Sequence, residues 1–137
     1  MMKLLFLMLA LSAGSPSPVR VETANGDWSR LPSLAAPGYN HLTTKVMARL
    51  HEIASRGQCR LPGYSGGRLQ MRLSFAAEYD GGGALQRVVL PKLDCPEAEG
   101  IIGGALLEMM EGGDYRPTDK NPKGWYQGRF AFTFGDS

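Results

Sequence analysis

An excess of charge of either sign is what this sequence most lacks. It carries 15 basic and 13 acidic residues, and without Lys3 the basic count falls to 14. Such a balance neither concentrates phosphates nor holds an anionic membrane surface, so nucleic acid is not an expected partner. Histidine is scarce too. His41 and His51 stand ten residues apart, not the three or four that would bring both to one metal ion on a helix, and no carboxylate pair completes a site with them. Two cysteines, Cys59 and Cys95, fit no zinc or redox spacing and have no second pair beside them. No metal or other cofactor is expected. A long hydrophobic run is also missing. The apolar stretch Leu4–Leu11 ends at Ser12-Ala13-Gly14, well short of the roughly 20 residues a membrane-spanning helix needs.

That short apolar stretch, preceded by Met1-Met2-Lys3 and followed by small residues, has the three zones of a cleavable signal peptide over residues 1–14, with cleavage after Ser12 or Gly14. Export from the cytoplasm is therefore expected. About 120 residues then remain, enough for one domain with a modest core. In an oxidising compartment a lone cysteine pair forms a disulfide, and Cys59–Cys95 is the expected bridge.

Residues 15–37 carry Pro16, Pro18, Pro32 and Pro37 with Asn25-Gly26 among them and no sustained apolar period, which reads as a linker or docked arm. Val19, Val21, Trp28 and Leu31 are the residues there suited to docking. Asn40 is placed to cap a helix whose Leu42, Val46, Leu50 and Ile53 recur at helical spacing, ending at Gly57. From Leu69 the period changes to two: Leu69, Met71, Leu73 and Phe75 take one face, and Gln70, Arg72 and Ser74 the other. Asp80-Gly81-Gly82-Gly83 supplies a hairpin turn, and Leu85–Leu93 returns as a second strand. Asp94 and Glu97 stand in a capping-box arrangement around Pro96, and Ala98, Ile101, Ile102, Ala105, Leu106 and Met109 give the next helix an apolar face. Gly103-Gly104 within it implies close approach to the sheet. Gly112-Gly113 ends the helix, and a last strand follows in which Tyr126, Phe130, Phe132 and Phe134 share one face. The expected fold is α+β, in the order helix, strand, strand, helix, strand. Its sheet is small, antiparallel and three-stranded, with helices on one face.

Gly63-Tyr64-Ser65-Gly66-Gly67 matches the Gly-x-Ser-x-Gly nucleophile elbow. An elbow joins a strand to a helix, however, whereas this one follows a helix and precedes a strand, and no histidine lies beyond His51 to complete the order serine, acid, histidine. It reads as a glycine loop. A small secreted hydrolase or enzyme inhibitor acting through that loop is the alternative, and a purely structural envelope protein the third reading. Glu97, Glu99, Glu108 and Glu111 read as a solvated helix face rather than as paired acid and base.

The second half of the chain resembles the TonB C-terminal domain family of the Gram-negative envelope. The likeness rests on the alternating strand Leu69–Ala77 with Asp80-Gly81 after it, the strand around Val88-Val89-Leu90, and a helix. Gly113-Asp114-Tyr115-Arg116-Pro117 and the final Phe130-Ala131-Phe132-Thr133-Phe134 complete it. The resemblance implies that residues 38–137 form a non-enzymatic periplasmic domain. Its partner would be an extended segment of an envelope or outer-membrane transport protein, or a second copy of the chain, bound by strand addition. Arg129, Phe130, Ala131, Phe132, Thr133 and Phe134 are the implied edge. An unpaired edge offers rows of backbone N–H and C=O groups, so affinity comes from the main chain and selectivity from alternate side chains.

Overall fold

The computed structural model describes residues 18–36 and 43–135; the signal-peptide region, Asn40, His41 and Leu42 lie outside them. The elements are β1 (Arg20–Thr23), α1 (Thr44–Ser55), β2 (Tyr64–Ser65), β3 (Arg68–Tyr79), β4 (Leu85–Leu90), α2 (Pro96–Glu111) and β5 (Gly124–Gly135). The expected helix-strand-strand-helix-strand order lies within this list, but the three-stranded antiparallel sheet is wrong. The sheet is mixed and has five strands in the order β1-β4-β3-β2, with β5 on the other side of β3, and a one-residue bridge at Ser33 adds a minimal sixth. β1 is the reason. It runs parallel to β4, Val21 opposite Val88, so the segment read as an arm supplies a strand.

The long strand β3 is the spine. Its alternation places Leu69, Met71, Leu73, Phe75, Ala77 and Tyr79 on the buried face, where α1 contributes Leu50 and Ile53 and α2 contributes Ala98, Ile102 and Leu106. β5 pairs antiparallel with β3 along its whole length, from Arg68 opposite Gly135 to Tyr79 opposite Gly124. Asp80 closes the β3–β4 turn with its carboxylate, accepting from the N–H groups of Gly82 and Ala84 while Gly83 takes a positive φ of 85°.

Both helix starts differ from the sequence reading. Thr43, not Asn40, caps α1: its hydroxyl accepts from the Val46 N–H at 3.2 Å. No Asp94–Glu97 capping box forms, because Asp94 takes a left-handed φ of 57° and Cys95 becomes the cap residue. Glu99 reaches back instead and accepts from the Leu93 N–H at 2.6 Å. Strand β4 ends at Leu90 rather than Leu93. The Cys59–Cys95 disulfide joins the chain just after α1 to the start of α2, with the Cα atoms 5.6 Å apart.

The two helical glycines behave differently. A Cβ at Gly103 would come 2.6 Å from Val21 Cγ1 and 3.2 Å from Leu90 Cδ1, so α2 does sit close on β1 and β4 there, whereas Gly104 has nothing within 4 Å. The two alanine replacements should therefore have opposite signs. Gly103→Ala should destabilise by about 1–3 kcal/mol through overpacking, and Gly104→Ala should stabilise by about 1 kcal/mol through helix propensity. Equilibrium urea unfolding of both variants checks the pair.

Candidate functional site

The implied edge, Arg129–Phe134, lies in β5, which pairs along one side with β3 and on its other side, among the described residues, with the one-residue bridge at Ser33 opposite Gln127. Along an antiparallel strand, backbone groups point alternately toward one neighbour and the other. Gln127 fixes the phase. Its N–H donates to Pro32 O at 2.9 Å and its C=O accepts from Leu34 N at 2.7 Å, both away from β3. With an unbroken register, Arg129, Ala131 and Thr133 direct their backbone groups outward as well, and Phe130, Phe132 and Phe134 direct theirs into the β3 ladder. Half of the six implied residues thus direct their main-chain groups away from β3. Phe132 has its side chain buried in the core.

The described chain covers the first part of this edge. Residues 26–31 cross the outer sheet face, where Ala76 and Gln127 are buried. The Gln127 amide donates to Ser29 O at 3.0 Å and to Leu31 O at 2.8 Å, so the one buried polar side chain among the described residues is satisfied. Pro32–Leu34 then brackets the Gln127 backbone, and Ala35 bridges to Arg116. Next along the edge, the Tyr115 hydroxyl donates to Arg129 O at 3.0 Å. Burial pushes that phenol up to about 12, so it remains the donor across the physiological range. Beyond it, the outward groups of Ala131 and Thr133 have no partner among the described residues.

The outer face beside this edge carries a cleft of about 280 Å³, lined by Trp28 and Ser29 of the crossing segment, Arg72 and Ser74 of β3, and Arg129 of β5. The period-two pattern puts Arg72 and Ser74 on the face opposite Leu69, Met71, Leu73 and Phe75 and carries no signal of a role for them. Trp28 was the usable signal, since a tryptophan in a proline-rich segment marks where that segment docks. Farther up the same face Arg87 is fully engaged: it holds Glu78 at 2.9 and 3.1 Å, lies 3.6 Å from Glu22, and stacks 4.8 Å over the Trp125 ring.

The Gly63–Gly67 motif does not form an elbow. Tyr64 and Ser65 make the two-residue strand β2, paired with Leu69 and Arg68, and Gly63 sits so close to Gln70 that a Cβ would overlap the Gln70 carbonyl. The loop expected from the sequence is thus a tight hairpin. His51 places Nε2 2.8 Å from Gly67 O and packs edge-on to Tyr64 at 5.7 Å. His41 lies outside the described residues. Among the described residues there is no cluster of three metal-ligating side chains, and no helix is long and apolar enough to cross a membrane.

Comparison of the chain with protein-family models, with curated proteins and with solved structures finds no match.

Proposed function

We propose that this chain is a non-enzymatic, TonB-like periplasmic domain that binds an extended segment of an envelope or outer-membrane transport protein by adding it as a strand to the outer edge of β5. The observation that carries the reading is the outward phase of Ala131 and Thr133, whose N–H and C=O groups are without partners among the described residues next to an otherwise complete ladder. A short unpaired length at the end of a paired strand is enough to seed a few main-chain hydrogen bonds, which is how strand addition gains affinity. The Cys59–Cys95 disulfide is compatible with an oxidising compartment.

Proline substitution separates binding from folding here. Because both N–H groups face away from β3, Ala131→Pro and Thr133→Pro remove an edge donor without breaking a ladder bond, as proline on an edge strand can. Both variants should keep the wild-type circular dichroism spectrum and lose binding of synthetic receptor segments, followed by backbone amide shifts. Folded proline variants that bind as the wild type does would count against the reading.

A further inference from the structure

Arg72 and Arg129 are the two large cationic side chains of the outer cleft, and neither has an acidic partner within 4 Å among the described residues. Their register is Arg72 opposite Ala131 and Ser74 opposite Arg129, which makes the two arginines diagonal neighbours on adjacent strands, roughly 7–8 Å apart at the backbone. Arg87 on the same face has two carboxylates within reach. The carboxylate that shares the cleft, Asp27, accepts from the Ser29 N–H at 3.0 Å instead. Two like charges side by side repel each other, and this pair stands beside the β5 edge with no carboxylate in ion-pair distance among the described residues, Asp27 being the one acidic group of the cleft.

Building on the strand-addition reading, we infer that the segment added to β5 carries a carboxylate side chain on its outer face, bound jointly by Arg72 and Arg129. An added strand would lie about 4.8 Å beyond β5, with its outer-face side chains beside Arg129, Ala131 and Thr133. Ala131 stands between Arg72 and the newcomer, and its small side chain leaves the long guanidinium a path across β5. Arginine forks pair with carboxylates in two-point fashion, which fixes register as well as adding affinity. The same charges oppose self-pairing: two copies joined through β5 would bring both arginines of each onto one continuous face. The partner is thus an acidic extended peptide rather than a second copy.

The test uses two synthetic peptides of alternating valine and threonine, identical except for one central glutamate or glutamine at an outward position, titrated into the folded protein at low salt. The wild type should bind the glutamate peptide about tenfold tighter, as expected for one charged hydrogen-bonded pair. In Arg72→Gln, a change on β3 that leaves the outward backbone groups of β5 in place, that preference should fall to about twofold or less. Equal binding of both peptides by the wild type, with Ala131 and Thr133 amides shifting in each case, would overturn the carboxylate inference and leave strand addition standing. A glutamate preference that survives Arg72→Gln and Arg129→Gln together would overturn it as well. Amides that shift with neither peptide would overturn both readings. Dimerisation of the free protein with broadening at Ala131 and Thr133 would favour the second copy as occupant and overturn the acidic peptide.

Discussion

Phe75→Ala should lower the unfolding free energy by about 3–5 kcal/mol, and Gly128→Ala by about 1–3 kcal/mol, yet the two together should cost clearly less than their sum. Phe75 is completely buried on β3 and stands directly opposite Gly128 on β5. A Cβ at Gly128 would overlap the Phe75 ring, so the aromatic lies over the glycine and fills the space its missing side chain leaves. Tyr115 then packs edge-on against the same ring, centroids 5.1 Å apart. Removing the ring opens a cavity where the alanine methyl can fit, which is why the double variant recovers part of the loss. Urea unfolding of the four proteins at equal m-value measures the coupling. Strict additivity would mean that the ring and the glycine do not share that space. The cycle also bears on the edge, because Tyr115 is the residue that occupies the Arg129 carbonyl.

Loss of the Cys59–Cys95 bridge should cost about 4 kcal/mol, whether by reduction or by Cys59→Ser with Cys95→Ser. This is the chain-entropy value for the 36-residue separation. For a domain of this size that is a large share of a total stability of roughly 5–15 kcal/mol. The bridge sits where the helix layer is joined: Cys59 follows α1 and Cys95 begins α2, with the long hairpin of β3 and β4 between them. Among the described residues the helices also share one ion pair, Arg49 to Glu97 at 3.4 Å, which is exposed and adds little. Denaturant midpoints with and without reductant should differ accordingly, and coincident midpoints would show that the helix layer does not depend on the bridge.

The parts of the fold legible in the sequence are those with a sustained local period. β3 alternates from Leu69 to Phe75, α1 and α2 repeat at helical spacing, and Asp80 with its glycines marks the hairpin, so these elements emerge, with different helix starts and a shorter β4. β1 did not, for a physical reason. Four residues pair in parallel with a strand far along the chain, and their proline-rich surroundings carry the composition of a linker. β2 is shorter still, two residues inside a glycine-rich stretch that also matched an enzyme motif. The cap of α2 falls one residue later than the Asp94–Glu97 pattern predicts, because the left-handed turn at Asp94 shifts the helix start to Cys95 and puts Glu99, not Glu97, in reach of the Leu93 N–H.

The candidate site was legible as a strand and as a face, but not as an edge. Side-chain alternation reveals that Phe132 points to the core; it does not reveal whether the Ala131 N–H points to β3 or away from it. That phase follows from the β3–β5 register, which a long-range partner sets, and Gln127 shows it through its bonds to Pro32 and Leu34. Arg72 was hidden for the same reason: only the register puts it across Ala131 from the edge.

Native-state hydrogen exchange along β5 tests the central claim most directly, because it reports the partner of each amide in turn. In the free protein the Gln127 amide, outward but held by Pro32, should be protected, as should the ladder amides of Phe130 and Phe132. Ala131 and Thr133 should exchange at least about tenfold faster than these neighbours and slow down when a receptor segment is added. Equal protection at Ala131, Phe132 and Thr133 in the free protein would mean that the edge is already occupied, and would contradict the account.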